Sequence, residues 1–98
     1  HPLRARLPVT QTTSQGDWTS IEIVVVEIET DQGFVGIGEC LARKGAVAYA
    51  RFIERVLAPL LLGRDPLERR RLWNEMRAVL SGRTGGMLIE AIAGIDIA

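Results

Sequence analysis

Ninety-eight residues, 47% of them hydrophobic, suffice for one domain with its own core and for little more. Twelve basic and twelve acidic side chains cancel, which leaves no long-range field to gather nucleic acid or an anionic membrane surface. The single cysteine, Cys40, excludes an intrachain disulfide and a multi-cysteine metal site, and no apolar run approaches the roughly 20 residues that cross a bilayer.

The opening residues, His1 to Pro8, lack the composition of a signal peptide. The reducing cytoplasm is therefore the expected compartment. Leu3, Ala5 and Leu7 alternate with Arg4 and Arg6 at the period of a half-buried strand, and Pro8, which has no N–H to donate, is expected to end it. Val9 to Trp18 is rich in Thr, Gln and Ser and shows neither a helical nor a strand period, so it reads as a long polar loop and the first candidate binding element. Ser20 to Thr30 is the strongest strand signal, dominated by β-branched residues. Ile21, Ile23 and Val25 point one way and Val24, Val26 and Ile28 the other, which predicts a central strand covered on both faces, one cover being this domain's helices and the other a neighbouring body.

Asp31-Gln32-Gly33 reads as a tight turn, and Phe34 to Cys40 as the returning third strand. Gly36 and Gly38 share one side of that strand, where missing side chains permit close approach of another backbone. The pair is not a dinucleotide fingerprint, because the third glycine is absent and no helix opens from it. Beyond Lys44, Val47, Ala50, Ile53, Val56 and Leu57 recur at helical spacing, punctuated by Pro59 and Gly63. Asp65-Pro66-Leu67-Glu68 predicts a second helix with Asp65 as its cap. Leu72, Trp73, Met76, Val79 and Leu80 form the expected buried stripe, closed by Ser81-Gly82. The run from Thr84 to Ala98 is apolar nearly all round, as an interior helix is, and the uncapped finish together with a start at His1 predicts a chain cut from something larger at both ends. Strands precede helices throughout, an α+β arrangement of a three-stranded antiparallel meander followed by a helical bundle.

Catalytic chemistry is not evident in these residues. His1 is the sole histidine, Lys44 the sole lysine, and the twelve carboxylates are scattered, so neither a nucleophile–base pair nor a metal-ligand cluster is assembled. Glu27 and Glu29 share a strand face as solvated charges. Arg69-Arg70-Arg71 forms three- and four-residue pairs with Glu68 and Glu75 on a polar helix face. Trp18, a large aromatic in a polar segment, either plugs its own domain's rim or reaches into a neighbour.

Three segments carry a resemblance: Val24-Val25-Val26-Glu27-Ile28-Glu29-Thr30-Asp31-Gln32-Gly33-Phe34-Val35-Gly36-Ile37-Gly38-Glu39, then Leu60-Leu61-Leu62-Gly63-Arg64-Asp65-Pro66, then Gly85-Gly86 followed by Ala91-Ile92-Ala93-Gly94-Ile95-Asp96-Ile97-Ala98. In this order the chain resembles the amino-terminal capping domain of the mandelate racemase and muconate lactonizing branch of the enolase superfamily, from about Leu3 to Ala98. The resemblance implies packing on a C-terminal (β/α) barrel that binds Mg²⁺ and abstracts the proton next to the carboxylate of a small-molecule substrate. It implies an acid-sugar dehydratase first, and a racemase or cycloisomerase second, in a homo-oligomer. It assigns no catalytic residue and no metal ligand to this chain. The loops that the family folds over the barrel mouth fall on Thr12, Thr13, Ser14, Gln15, Asp17 and Trp18 and on Arg43 and Lys44, as substrate-specificity residues. The alternative from another class is a free-standing α+β module that dimerises through its apolar last helix.

Overall fold

Hydroxyl-rich and β-branched residues extend the first strand well past its proline. In the computed structural model, which describes residues 1–98, β1 (Pro2–Thr13) and β2 (Gly16–Glu29) form one long antiparallel ribbon, and β3 (Val35–Leu41) joins the other side of β2. The sheet order is β1-β2-β3, a meander with β2 at its centre. The expected polar loop at Val9 to Trp18 is thus mostly strand. Pro8 does act, but locally: pairing stops at Arg6–Ser20 and resumes at Gln11–Trp18, so that Leu7, Pro8, Val9 and Thr10 lie opposite Thr19 alone. A missing N–H interrupts the ladder as a bulge instead of ending it.

Helix α1 (Ala46–Phe52) runs into a π-helical turn at Ile53–Leu57 and then α2 (Ala58–Leu61), one continuous rod with one extra residue in its middle. The Ala58 N–H donates to the Ile53 carbonyl, five residues back. Pro59 follows directly, and a widened turn gives its ring room where a regular α-turn would meet the carbonyl of Arg55. Next comes α3 (Arg69–Ala78), with Glu68 and not Asp65 at its cap position, three residues later than Asp65 predicts. The Asp65 carboxylate accepts the Leu67 N–H at 2.8 Å and its carbonyl accepts Glu68 N–H at 3.1 Å, so Asp65 caps a separate turn built on Pro66. Of the expected α3 stripe, Leu72 and Met76 are buried, Trp73 and Val79 are half-buried, and Leu80 lies past the helix end at 41% exposure.

The last helix, α4 (Met87–Ile97), lies directly on β3. A Cβ on Gly38 would stand 1.9 Å from the Gly94 carbonyl oxygen, and one on Gly36 would stand 1.6 Å from that of Ala98. The two glycines therefore serve the backbone approach that their shared strand face predicts. Leu57, Cys40, Ala91 and Ile92 are at or near zero exposure in the core between the sheet and the helices.

The inner side of α4 is an interior surface, as its apolar run predicts. Ile92 and Ile95 are buried against the chain's own core, at 1% and 6% exposure, and only Ile89, Ala93 and Ile97 remain as an open stripe on α4. The helices cover one face of the sheet. On the other, Leu3, Ile21, Ile23, Val25, Val35, Ile37 and Leu41 are exposed or half-buried, with Ile37 at 63%. The face left bare is the one that the two-sided apolar pattern of β2 assigns to a neighbouring body. No helix of the chain is long and apolar enough to cross a membrane.

Candidate functional site

The Thr12 and Thr13 hydroxyls of the β1–β2 tip are spent on the turn itself. Thr12 Oγ1 donates to Asp17 Oδ1 across the ribbon at 2.8 Å, Thr13 Oγ1 donates to the Gly16 carbonyl at 3.1 Å, and Gln15 N–H donates to Thr13 Oγ1 at 3.2 Å. Ser14 and Gln15 are the two residues of the turn and are exposed to solvent. Such side-chain-to-backbone bonds set the turn's shape in place of the usual Asn-Gly pair.

Trp18 sits further down the ribbon, half-buried. By the two-residue strand period it lies on the same side as Ser20, Glu22 and Val24, the side that the helices cover. There it meets the segment that follows β3: Lys44 Nζ stands 5.6 Å from the centre of the indole. At an exposed site such a cation–π contact contributes about 0.5–1 kcal/mol. Two of the eight residues singled out from sequence, one on β2 and one in the segment after β3, are thereby brought together. Trp18 is half-buried, with the Lys44 ammonium beside its ring.

Three interactions hold the Cys40–Lys44 segment. Glu22 of β2 extends the sheet pairing past β3, its carbonyl accepting Ala42 N–H at 3.1 Å and its N–H donating to the Arg43 carbonyl at 3.2 Å. Its carboxylate accepts the Gly45 and Ala46 N–H groups, at 2.8 and 2.9 Å, and so supplies the cap that α1 lacks from its own sequence. The Ala46 N–H, followed by that of Gly45, holds this carboxylate below its ordinary value of 4.5. Third, Arg43 reaches across to Glu90 of α4, and Tyr49 of α1 donates its hydroxyl to the other oxygen of the same carboxylate. The Tyr49 bond, with Arg43 beside it, keeps Glu90 below its ordinary range, and in return Tyr49 is pushed up to about 12. Burial raises the neighbouring Cys40 thiol to about 11, so it is not a nucleophile at neutral pH.

Arg43 has φ 54°, a left-handed conformation unusual for a side chain with a Cβ, and Gly45 follows at φ 82°. Holding such a residue costs on the order of 1 kcal/mol, which its ion pair and the Glu22 bonds offset. Glu22, Tyr49 and Glu90 were not legible as site residues. Each is a lone polar residue on an otherwise apolar face, and only the fold brings them to one loop.

Chemically the site is a rim and not a cavity. No buried side-chain N or O lacks a partner, and no three His, Cys, Asp or Glu residues converge as metal ligands would. What the rim offers is an indole, one ammonium, and the open turn at Ser14 and Gln15. These groups suit contact with a polar, anionic molecule held against another surface.

The model of the mandelate racemase / muconate lactonizing enzyme N-terminal domain matches residues 2–98. Among curated proteins, the chain is 43% identical over 79 residues to an arabinonate dehydratase of Saccharolobus solfataricus, covering 80% of this chain and 21% of that protein. It is 32% identical over 75 residues to a D-mannonate dehydratase of Novosphingobium aromaticivorans, covering 76% of this chain and 19% of that one. Among solved structures, a racemase from Streptomyces coelicolor A3(2) with bound magnesium superposes with a TM-score of 0.88 at 30% identity, over 99% of this chain and 28% of that chain. The chain thus spans about a fifth of the length of these curated relatives. With the meander, the glycine-mediated seat of α4 and the closing helix all in the matched order, the chain belongs to the mandelate racemase / muconate lactonizing enzyme family, as its N-terminal domain.

Proposed function

We propose that this chain is the substrate-capping domain of a longer enzyme that removes the proton next to a carboxylate, in the first place an acid-sugar dehydratase. The observation that carries the reading is the meeting of Trp18 on β2 and Lys44 of the β3–α1 loop on one rim. Relatives named as dehydratases of arabinonate and D-mannonate point to sugar acids. An ammonium beside an indole and open amide and hydroxyl groups suits a hydroxylated anion, whose far end it touches while water is excluded from the reacting end.

The reacting groups come, in this reading, from a (β/α) barrel outside these 98 residues. The open face of the sheet, where Val25, Val35 and Ile37 stand among Glu27, Glu29 and Glu39, and the open Ile89–Ala93–Ile97 stripe of α4 support a covering body. The same length relation to its relatives disfavours the dimerising module as the whole of its role.

The S. coelicolor neighbour carries magnesium, but the residues of this chain do not fit such an ion. Glu22 is committed to backbone N–H groups, Glu90 to Arg43 and Tyr49, and Glu68 and Glu75 to Arg64 and Arg71. Any magnesium in the full enzyme is therefore ligated elsewhere, and no step is assigned to it here. The test is a panel of C5 and C6 sugar acids offered to the full-length enzyme, with water loss followed as the appearance of a 2-oxo acid. Turnover of a sugar acid, with KM raised about tenfold by Lys44→Ala while kcat holds, supports the reading. Absence of turnover across the panel, or a Lys44→Ala enzyme with unchanged KM on its best substrate, contradicts it.

A further inference from the structure

We propose that Glu90 is a positioning residue, a latch that ties the β3–α1 loop to helix α4 and so sets where Lys44 stands against Trp18; this rests on the capping role proposed above. One carboxylate joins three elements: Arg43 of the loop pairs with one oxygen and Tyr49 of α1 donates to the other. Its side chain is only 23% exposed while that of Arg43 is 51% exposed, so the anion is the fixed partner and the cation is the held one. The loop it holds is locally strained, with Arg43 left-handed at φ 54° and Lys44 N–H donating to the Ala42 carbonyl at 2.5 Å, a tight turn of the chain around Arg43. Without an anchor on the Arg43 side chain, only the Glu22 bonds to the flanking backbone oppose relaxation of the left-handed residue, and the Arg43–Lys44 segment is freer to swing Lys44 off the indole.

The remaining loop contacts do not replace this anchor. Glu22 fixes the backbone on either side, at Ala42, Arg43, Gly45 and Ala46, but touches no side chain of Arg43 or Lys44. Glu90 also stands on the helix that seats its backbone on Gly36 and Gly38 of β3, so any shift of α4 along the strand moves the carboxylate with it. The loop thereby reports the seating of α4, the helix that carries the open apolar stripe.

The experiment uses the full-length enzyme labelled with 5-fluorotryptophan, the Trp18 signal being assigned by Trp18→Phe. Glu90→Gln keeps the shape but weakens both bonds; the latch predicts a shifted Trp18 ¹⁹F resonance, at least a twofold rise in its paramagnetic quencher broadening, and KM raised about tenfold with kcat within about twofold. Arg43→Met should shift the signal in the same direction, and the Arg43→Met/Glu90→Gln double variant should be no worse than Glu90→Gln alone, because the Arg43 bond is already lost in that single variant. Tyr49→Phe should give a smaller shift of the same sign. An unchanged Trp18 signal in Glu90→Gln, with the protein folded, overturns the latch. A shifted Trp18 signal with unchanged KM upholds the latch and overturns the capping role of the loop, so the two failures are distinguishable.

Discussion

At the scale of single residues, atoms that are absent matter as much as those present. Gly36 and Gly38 let α4 and the residue after it approach β3 backbone to backbone, and the Gly94 carbonyl that faces Gly38 cannot yield without moving the helix. Gly38→Ala is therefore expected to cost about 3 kcal/mol or more, since overpacking against backbone exceeds the usual penalty, and chemical denaturation of the full-length protein should show it. Gly16, where no atom lies within 4 Å of a new Cβ, should lose less, chiefly through its φ of 124°. The Glu90 cluster makes a second prediction. Glu90 titrates below 4.5, so its contribution is complete above that pH and is lost as acid protonates the folded form; Tyr49 is raised from 10 to about 12, so its share is complete below pH 10 and fades toward 12. The Arg43–Glu90 link should thus hold across the neutral range and release in acid, read from the Trp18 ¹⁹F signal between pH 6 and pH 3. A Trp18 signal that moves near pH 7 instead would contradict this assignment.

At the scale of elements, the alternation of Ile21 to Ile28, the glycine pair on β3 and the spacing of Leu72 and Met76 were each readable because a regular period forces side chains to one face. The hairpin was not. Threonine, glutamine and serine serve equally in a loop and in a solvated ribbon, and only the Thr12–Asp17 and Thr13–Gly16 bonds decide for the ribbon. The π-turn escaped for a related reason: Pro59 forecasts an interruption but does not say whether the helix breaks or widens. Asp65 carries the marks of a helix cap and makes an isolated turn, because its N–H partners lie within the Pro66 turn before the helical face of α3 can pack. Within α4 the two sides should respond differently. Ile92→Ala removes a fully buried side chain and should cost about 3 kcal/mol, whereas Ile97→Ala, at 67% exposure, should be nearly neutral in this domain by itself. If Ile97→Ala proves as costly as Ile92→Ala in the full-length enzyme, the open stripe is covered there, as the capping reading requires.

At the scale of the whole molecule, the helices close one face of a three-stranded sheet and leave bare a second face, on which apolar residues stand among Glu27, Glu29 and Glu39, and one helix stripe, while the polar rim of Trp18 and Lys44 stands at one end. The fold class and the family were legible, since both rest on ordered segments that repeat a pattern. The rim was half legible: Trp18 and Lys44 stand out as lone residue types, but Glu22, Tyr49 and Glu90, which hold the rim, have nothing in their local sequence to mark them. Introducing charge on the bare face tests the covering body, and Ile37→Lys should leave secondary structure intact yet loosen the full-length enzyme, seen as a lower midpoint of thermal unfolding. The central claim, that this domain selects the substrate without performing chemistry, is tested most directly by kcat and KM of the full-length Trp18→Ala/Lys44→Ala enzyme across a panel of sugar acids. The account predicts a KM about tenfold higher on the preferred acid, a kcat within about threefold, and a narrowed ratio of kcat/KM between acids; a folded double variant with unaltered KM and unaltered preference would contradict it.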